Sequence, residues 1–263
     1  MTRFPVRRVL LAPALVLTIG ATAACGGSHP AAKASAARTV TAAPAPSSTS
    51  GTSGTASATP SATGPAPLTE AQLTLIATAI TQAGAPGLKE DTSDQSTGVN
   101  DEKQKAGSGG AACETFLNAL QAYSGTYGSS AEVDRGYDAT TTNGQELVLL
   151  SLVSHTSAAA ARRTVDDVRK SAKDCPHLTA DLGGETGRMN LAPLSRPAMG
   201  DGSAVVRIGM TQGSTKELIT TATAQVGSTT VNVFDISGSS YDYGAAEQVT
   251  KEAVTLLRNE YPQ

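Results

Sequence analysis

The chain has 263 residues, with 20 Lys and Arg against 23 Asp and Glu, for a formal net charge of −3. That balance argues against a nucleic-acid or anionic-lipid surface, because binding of either rests on a basic patch. With no Trp, three Phe and six Tyr, the chain is poor in aromatic platforms for sugars or single-stranded nucleic acid.

The first residues read as a targeting segment. Arg3, Arg7 and Arg8 form a positive start, and Val9 to Ile19 form an apolar run too short to span a bilayer. Ala21-Thr22-Ala23-Ala24-Cys25-Gly26 then places small residues before a cysteine. This pattern resembles a bacterial lipobox, with Thr22 where such boxes usually carry Leu. It predicts removal of residues 1–24 and a lipid on Cys25 as the new N-terminus. The alternative is an ordinary secretory signal cut near Ala24. Arg7-Arg8 ahead of Val9-Leu10-Leu11 faintly resembles a twin-arginine signal, so the export route stays open. Cleavage removes Arg3, Arg7 and Arg8 and no acid, taking the net charge from −3 to −6. Membrane attachment would then rest on the lipid.

Residues 25–67 form a tether. Ser28 to Pro67 is almost wholly Ala, Ser, Thr, Pro and Gly, too little apolar surface to offset chain entropy, so it is predicted to be disordered. Its r.m.s. reach would be about 35 Å. Its composition also suits O-glycosylation.

Structure is predicted from Leu68. Thr69-Glu70-Ala71-Gln72 is a capping box with Leu68 and Leu73 at the staple positions. Leu73, Ile76, Ala77 and Ile80 mark one helical face, which Gly84 and Pro86 end. Lys89 to Gly110 is polar and Gly-rich and reads as a mobile loop. Its acids Glu90, Asp91, Asp94, Asp101 and Glu102 fit no calcium-loop spacing. Cys113, Phe116, Leu117 and Leu120 give a second short helix.

Asn143-Gly144 suits a two-residue turn between strands Val133–Thr142 and Gln145–Val153, opposing Ala139 to Val148 and Tyr137 to Leu150. Leu147 to Val153 is apolar on both faces, which marks a central strand. A third helix runs from Thr156 to Asp174, with the stripe Ala158, Ala161, Val165, Val168 and Ala172. Its other side carries Arg162, Arg163, Asp166, Asp167, Arg169 and Lys170, with Asp166 and Lys170 in the favourable i,i+4 order. Asp166 and Asp167 diverge by about 100° around the helix, so they read as a solvated face. Pro176 stops it.

Strands follow at Gly187–Leu194, Ala204–Thr211 and Glu217–Val226. The turn Gly227-Ser228 leads into Thr229–Ile236, opposing Ala224 to Val231 and Ala222 to Val233 on one face and Thr221 to Phe234 on the other. Asp242 is placed to cap a last helix, Tyr243 to Asn259, with the stripe Ala246, Val249, Ala253 and Leu256. The order α-α-β-β-α-β-β-β-β-α predicts a single α+β domain at residues 68–263: an antiparallel sheet with helices packed on it in two layers.

If Cys25 is lipidated, Cys113 and Cys175 remain as an even pair in a compartment where disulfides persist. A bridge between them would close a loop of roughly 60 residues, worth about 4 kcal/mol at most. The alternative is two unpaired buried cysteines. No catalytic, metal or cofactor motif is present. His29 lies in the tether, His155 precedes a helix and His177 follows Cys175-Pro176. Gly183 to Gly187 reads as a plain loop.

These features together resemble the extracytoplasmic sensor domain of PknH-type mycobacterial receptor kinases and of actinobacterial lipoproteins that carry the same domain. The features are the lipobox and tether, the helix opening Leu68-Thr69-Glu70-Ala71-Gln72-Leu73, and Cys113 at the start of the next helix. Ser157-Ala158-Ala159-Ala160-Ala161 begins a helix ending at Cys175, and Pro197-Ala198-Met199-Gly200-Asp201 precedes the strand Ala204–Met210. The Gly227 hairpin and an Ala-rich C-terminal helix complete them. The resemblance implies an antiparallel sheet with helices beside a groove and a small-molecule-binding role, and it supplies no catalytic residue. The kinase domain has two disulfides, against one here.

The expected function is a lipid-anchored extracytoplasmic module that binds or senses a ligand without catalysis. Its partners would be the membrane, through the lipid, and an unknown small molecule or envelope protein. The alternatives are an envelope protein-interaction role and a hydrolase with an unrecognised site.

Overall fold

The computed structural model describes residues 66–82, 88–141, 144–182, 184–237, 241 and 243–260. The signal segment, Cys25, His29, the tether to Gly64, the Gly84/Pro86 stop, Asn143, Gly183 and Asp242 lie outside the described residues. The first helix, α1 (Glu70–Gln82), starts as its capping box dictates. The Thr69 amide donates to Gln72 Oε1 at 2.9 Å, and the Gln72 amide donates to Thr69 Oγ1 at 3.4 Å. Leu68, Leu73, Ile76, Ala77 and Ile80 are buried.

The segment expected to be a loop instead begins with an edge strand, β1 (Leu88–Thr97). It pairs antiparallel with the next strand, with a register irregularity between Asp91 and Ser96. A polar edge strand has no alternating apolar residues to betray it, so only its partner reveals it. Then come α2 (Gly110–Leu120), the single turn α3 (Ser124–Tyr127), β2 (Ser129–Thr141) and β3 (Gly144–His155). Next is α4 (Ala158–Asp174), N-capped by Ser157 Oγ on the Ala160 amide. A short strand missing from the sequence reading, β4 (His177–Asp181), leads into β5 (Thr186–Leu194), β6 (Gly202–Gln212), β7 (Thr215–Val226), β8 (Thr229–Ser237) and α5 (Gly244–Glu260).

The eight strands form one antiparallel sheet in the order β1-β2-β3-β8-β7-β6-β5-β4. After β3 the chain crosses through α4 to the far edge and returns strand by strand, so that β8 closes on β3. The β7–β8 register is the expected one: Ala224 opposes Val231, Ala222 opposes Val233 and Thr221 opposes Phe234. The β2–β3 register is shifted by two residues, with Tyr137 opposite Val148 and Ala139 opposite Glu146. Pairing continues to Thr141–Gly144, which draws Gly144 into the strand. An even shift keeps every side chain on its face.

Helices cover both faces, which corrects the expected two layers to three. Val133, Tyr137, Leu150, Val205, Ala222, Val231 and Val233 face α1 and α5. Leu149, Val206, Ile208, Ile219 and Phe234 point the other way, toward α2 and α4. The apolar pattern of β3 and β8 on both faces requires this. In α4 the buried stripe is Ala161, Val165, Val168 and Ala172, with Ala158 exposed in the first turn. In α5 the residue that completes the stripe is Leu257, fully buried, and not the half-buried Leu256.

Candidate functional site

The α2–α4 side of the sheet holds a groove of about 500 Å³, walled by α2, α3, α4 and the segment around Lys103. A disulfide sets its width at one end. Cys113 in α2 and Cys175 at the C-terminus of α4 are bonded, with Cα atoms 5.2 Å apart. Gly109 opens α2 with φ +92°, and a Cβ there would lie 2.1 Å from Cys113 Sγ and 3.0 Å from the His177 carbonyl oxygen. Glycine is required so that α2 can start beside the bridge.

In the lining of the groove the Tyr127 hydroxyl donates to Asp167 Oδ2 at 3.0 Å. Arg163 Nε lies 3.5 Å from the same oxygen, and its guanidinium stands 5.7 Å from the Tyr127 ring centroid. Burial, and then the Asp167 charge, hold the Tyr127 phenol well above its usual range, so it stays a hydrogen-bond donor. Asp167 therefore faces the groove, while its neighbour Asp166 turns outward to Arg169 at 2.7 Å. The expected Asp166–Lys170 pair is replaced by Asp166–Arg169. Lys170 lines the groove with Lys103, Glu114 and Asp174, and none of these four makes an ion pair among the described residues. The lining thus offers separate positive and negative groups around a buried phenol.

Deeper on the same face is a polar seam that the sequence did not signal. Glu132 and Asp134 alternate along β2 and are both buried against β1 and β3. Ser151 Oγ donates to Glu132 Oε1 at 3.0 Å, the Asn100 amide donates to Glu132 Oε2 at 3.2 Å, and Ser96 Oγ donates to Asp134 Oδ2 at 2.5 Å. Burial, and then the charge of Asp134, push the Glu132 carboxyl up to about 8. Burial also raises Asp134. The one clue in the sequence was indirect: a β3 apolar on both faces buries both faces of its neighbour.

His155 is fully buried, with Nδ1 2.9 Å from the Tyr127 carbonyl oxygen and Nε2 2.9 Å from Thr230 Oγ1. A carbonyl partner requires the proton on Nδ1, so Nε2 accepts from Thr230. Burial lowers its basicity, which keeps the ring neutral. His177 is exposed and meets Asn190 Oδ1 at 2.7 Å. Among the described residues, neither of these histidines has a carboxylate or a serine hydroxyl as its hydrogen-bond partner.

No family model matches the sequence, and no curated protein does. Among solved structures, the extracellular domain of PknH from Mycobacterium tuberculosis superposes with a TM-score of 0.53 at 14% identity. The match covers 73% of this chain and 98% of that one. The fold is PknH-like. An uncharacterized Mycobacterium smegmatis protein, the ortholog of Rv0999, gives a TM-score of 0.43 at 10% identity over 70% of this chain and 95% of its own. In the present chain the PknH-like fold places the groove, the disulfide and the polar seam together on the α2–α4 face. No helix among the described residues is long and apolar enough to cross a membrane.

Proposed function

We propose that this chain is an extracytoplasmic lipoprotein, anchored through Cys25, whose PknH-like domain binds a small polar ligand in the α2–α3–α4 groove without chemistry. The observation that carries the reading is the groove itself. The buried Tyr127 phenol, bonded to the half-buried Asp167, is part of its lining, and Lys103, Lys170, Glu114 and Asp174 line it too, without ion partners among the described residues. A cavity of this kind, with a few convergent polar groups, is the usual shape of a small-molecule site. The lipobox-like run before Cys25 and the extracellular setting of the PknH domain support the location.

The test is an NMR titration of the protein with a panel of free amino acids, dipeptides and sugar phosphates. A ligand should move the amides of Tyr127, Asp167 and Lys170, and Asp167→Asn should abolish the response. Shifts confined to residues outside the groove would defeat the assignment. Location is checked separately by intact mass of the membrane fraction, which should show a chain starting at Cys25 plus acyl groups. A soluble native protein with an unmodified Cys25 would refute the anchor.

A further inference from the structure

The Glu132–Asp134 seam places two carboxyl groups on one face of β2 with no ion pair to either among the described residues. Among the neighbouring charged and titratable groups, the Arg135 charge lowers Asp134 in part, and burial outweighs it. Arg135 projects on the opposite face of β2; it donates from one guanidinium nitrogen to the Asp134 carbonyl at 2.7 Å and reaches Glu90 at 3.7 Å. Asp91 of β1 and His155 of β3 share the seam's face, the one acidic and the other neutral. Asp101, Glu102 and Lys103 lie in the covering segment, where Asp101 accepts from Ser124 Oγ at 2.5 Å. Tyr123 and Tyr127 come from the α3 side, and Asp167 with Arg163 from α4, where they pair with each other. Two anions side by side in a buried site, with neither in an ion pair, are far costlier than one, so the pair retains a proton.

The geometry says where that proton goes. Ser151 Oγ gives its own hydrogen to Glu132 and keeps lone pairs free. Asp134 Oδ1 is buried with no partner among the described residues. A proton on Asp134 Oδ1 turns it into a donor toward Ser151 and links the two carboxyls through one hydroxyl. An independent sign of a polar occupant lies one strand further. Asn232 of β8, opposite Ser151 and 1% exposed, has neither amide atom bonded, and Thr223 Oγ1 on the next strand is likewise unpaired. Asp134, Ser151, Asn232 and Thr223 form one row across four strands, enough polar partners to hold bound water.

The seam also reaches the groove. Asn100, bonded through its amide to Glu132, accepts the Ser124 amide on its carbonyl at 2.9 Å and donates its side chain to Gln121 at 2.7 Å. Four residues on, the Gln104 amide donates to Asn118 Oδ1 at 2.9 Å, and Asn118 Nδ2 donates back to the Gln104 carbonyl at 2.8 Å. Lys103 and Asn118 line the groove.

We propose that the hydrated Glu132–Ser151–Asp134 seam holds one proton on Asp134, and that losing it sets a second carboxylate beside Glu132, whose repulsion opens the seam to solvent against the hold of Glu132 on the Asn100 amide, frees the Asn100 segment and loosens the α2–α3 wall of the groove. The device rests on the reading of that groove as a ligand site, but its test needs no ligand. The full chain is titrated from about pH 6 to about pH 9 while carboxyl ¹³C shifts and the protection factor of the Asn100 amide are followed. One protonated carboxyl should be present at neutral pH, and Asn100 protection should fall at least about tenfold as it ionises. Asp134→Asn is isosteric with the protonated acid: its amide can donate to Ser151 while its oxygen accepts from Ser96. It should keep Asn100 protected across the range, and the Asn232 side-chain amide should show cross-relaxation to a long-lived water. Two ionised carboxyls at neutral pH, or Asn100 protection that falls equally in Asp134→Asn, would overturn the proposal. A failed ligand screen with this titration intact would overturn only the groove assignment.

Discussion

The two faces of the sheet are built on different principles. The α1–α5 face around Leu150, Val231 and Val233 is packed mainly with aliphatic side chains, with Arg135, Glu146 and Asp235 buried along its β2, β3 and β8 rows, and most of its stability comes from area removed from water. The α2–α4 face carries comparable apolar contacts around Phe116, Val168 and Phe234, but it also holds the disulfide, the buried acid pair, a buried histidine and an open groove. A face that keeps a cavity and buried polar groups gives up packing, and a covalent bridge across its two main helices offsets that loss. The groove and the bridge thereby lie on one side of the sheet, while both sides contribute a packed core.

This contrast can be broken by experiment, and the largest effect should come from the α1–α5 face. Leu150→Ala removes a fully buried side chain from a central strand, so chemical denaturation should report a loss of about 3–5 kcal/mol. A loss under about 1 kcal/mol would mean that this face is not the main source of stability. On the other face, Cys113→Ser should cost about 2–4 kcal/mol and should broaden the amide signals of groove residues such as Lys170 more than those of α1. Equal broadening on both faces would show that the bridge does not act as a local clamp.

The smallest and most diagnostic effect is on pH. Glu132 has a folded value of about 8 against an ordinary 4.5. Between those values the folded state binds a proton that the unfolded state has lost, so stability declines as pH rises through that window and levels off above it. Sharing of the proton with Asp134 reduces the gross linkage, and the expected decline is on the order of 2 kcal/mol. Thermal melts of Asp134→Asn should show a flatter slope over the same range. A native protein equally stable at both ends of the window would show that the acid pair is not desolvated as its position implies.

Much of the fold was legible because local rules decide it. The capping box at Thr69, the stripes of α1 and α2, the stripe of α4 from Ala161 onward and the Gly227-Ser228 turn depend on residues a few positions apart, and they appear where the sequence puts them. The Asn143-Gly144 hairpin was read two residues out of register while every side chain kept its face. A turn signal competes with continued ladder pairing, and burial constrains only parity. Leu256 was chosen over Leu257 because adjacent leucines at a helix end fit nearly the same stripe, and the docking angle of α5 decides between them. Of the candidate site, only Cys113 and Cys175 could be picked out. Tyr127, Asp167, Glu132 and Asp134 are ordinary residues along the chain and become a site only when α2, α3, α4 and β1 to β3 converge.

By itself, the sequence settled α1, α2, α4 and α5, though not the single turn α3, together with the central strands and the parity of each hairpin, because apolar periodicity reports which way a side chain must face. What only the tertiary structure decided was partnership. It showed that polar β1 and short β4 flank the sheet, that helices lie on both faces, that α2 and α4 enclose a groove, and that Glu132 and Asp134 are buried side by side with no ion pair among the described residues. Burial along one strand depends on elements distant in the chain, and for a charged side chain no local pattern tells the solvated face from the covered one.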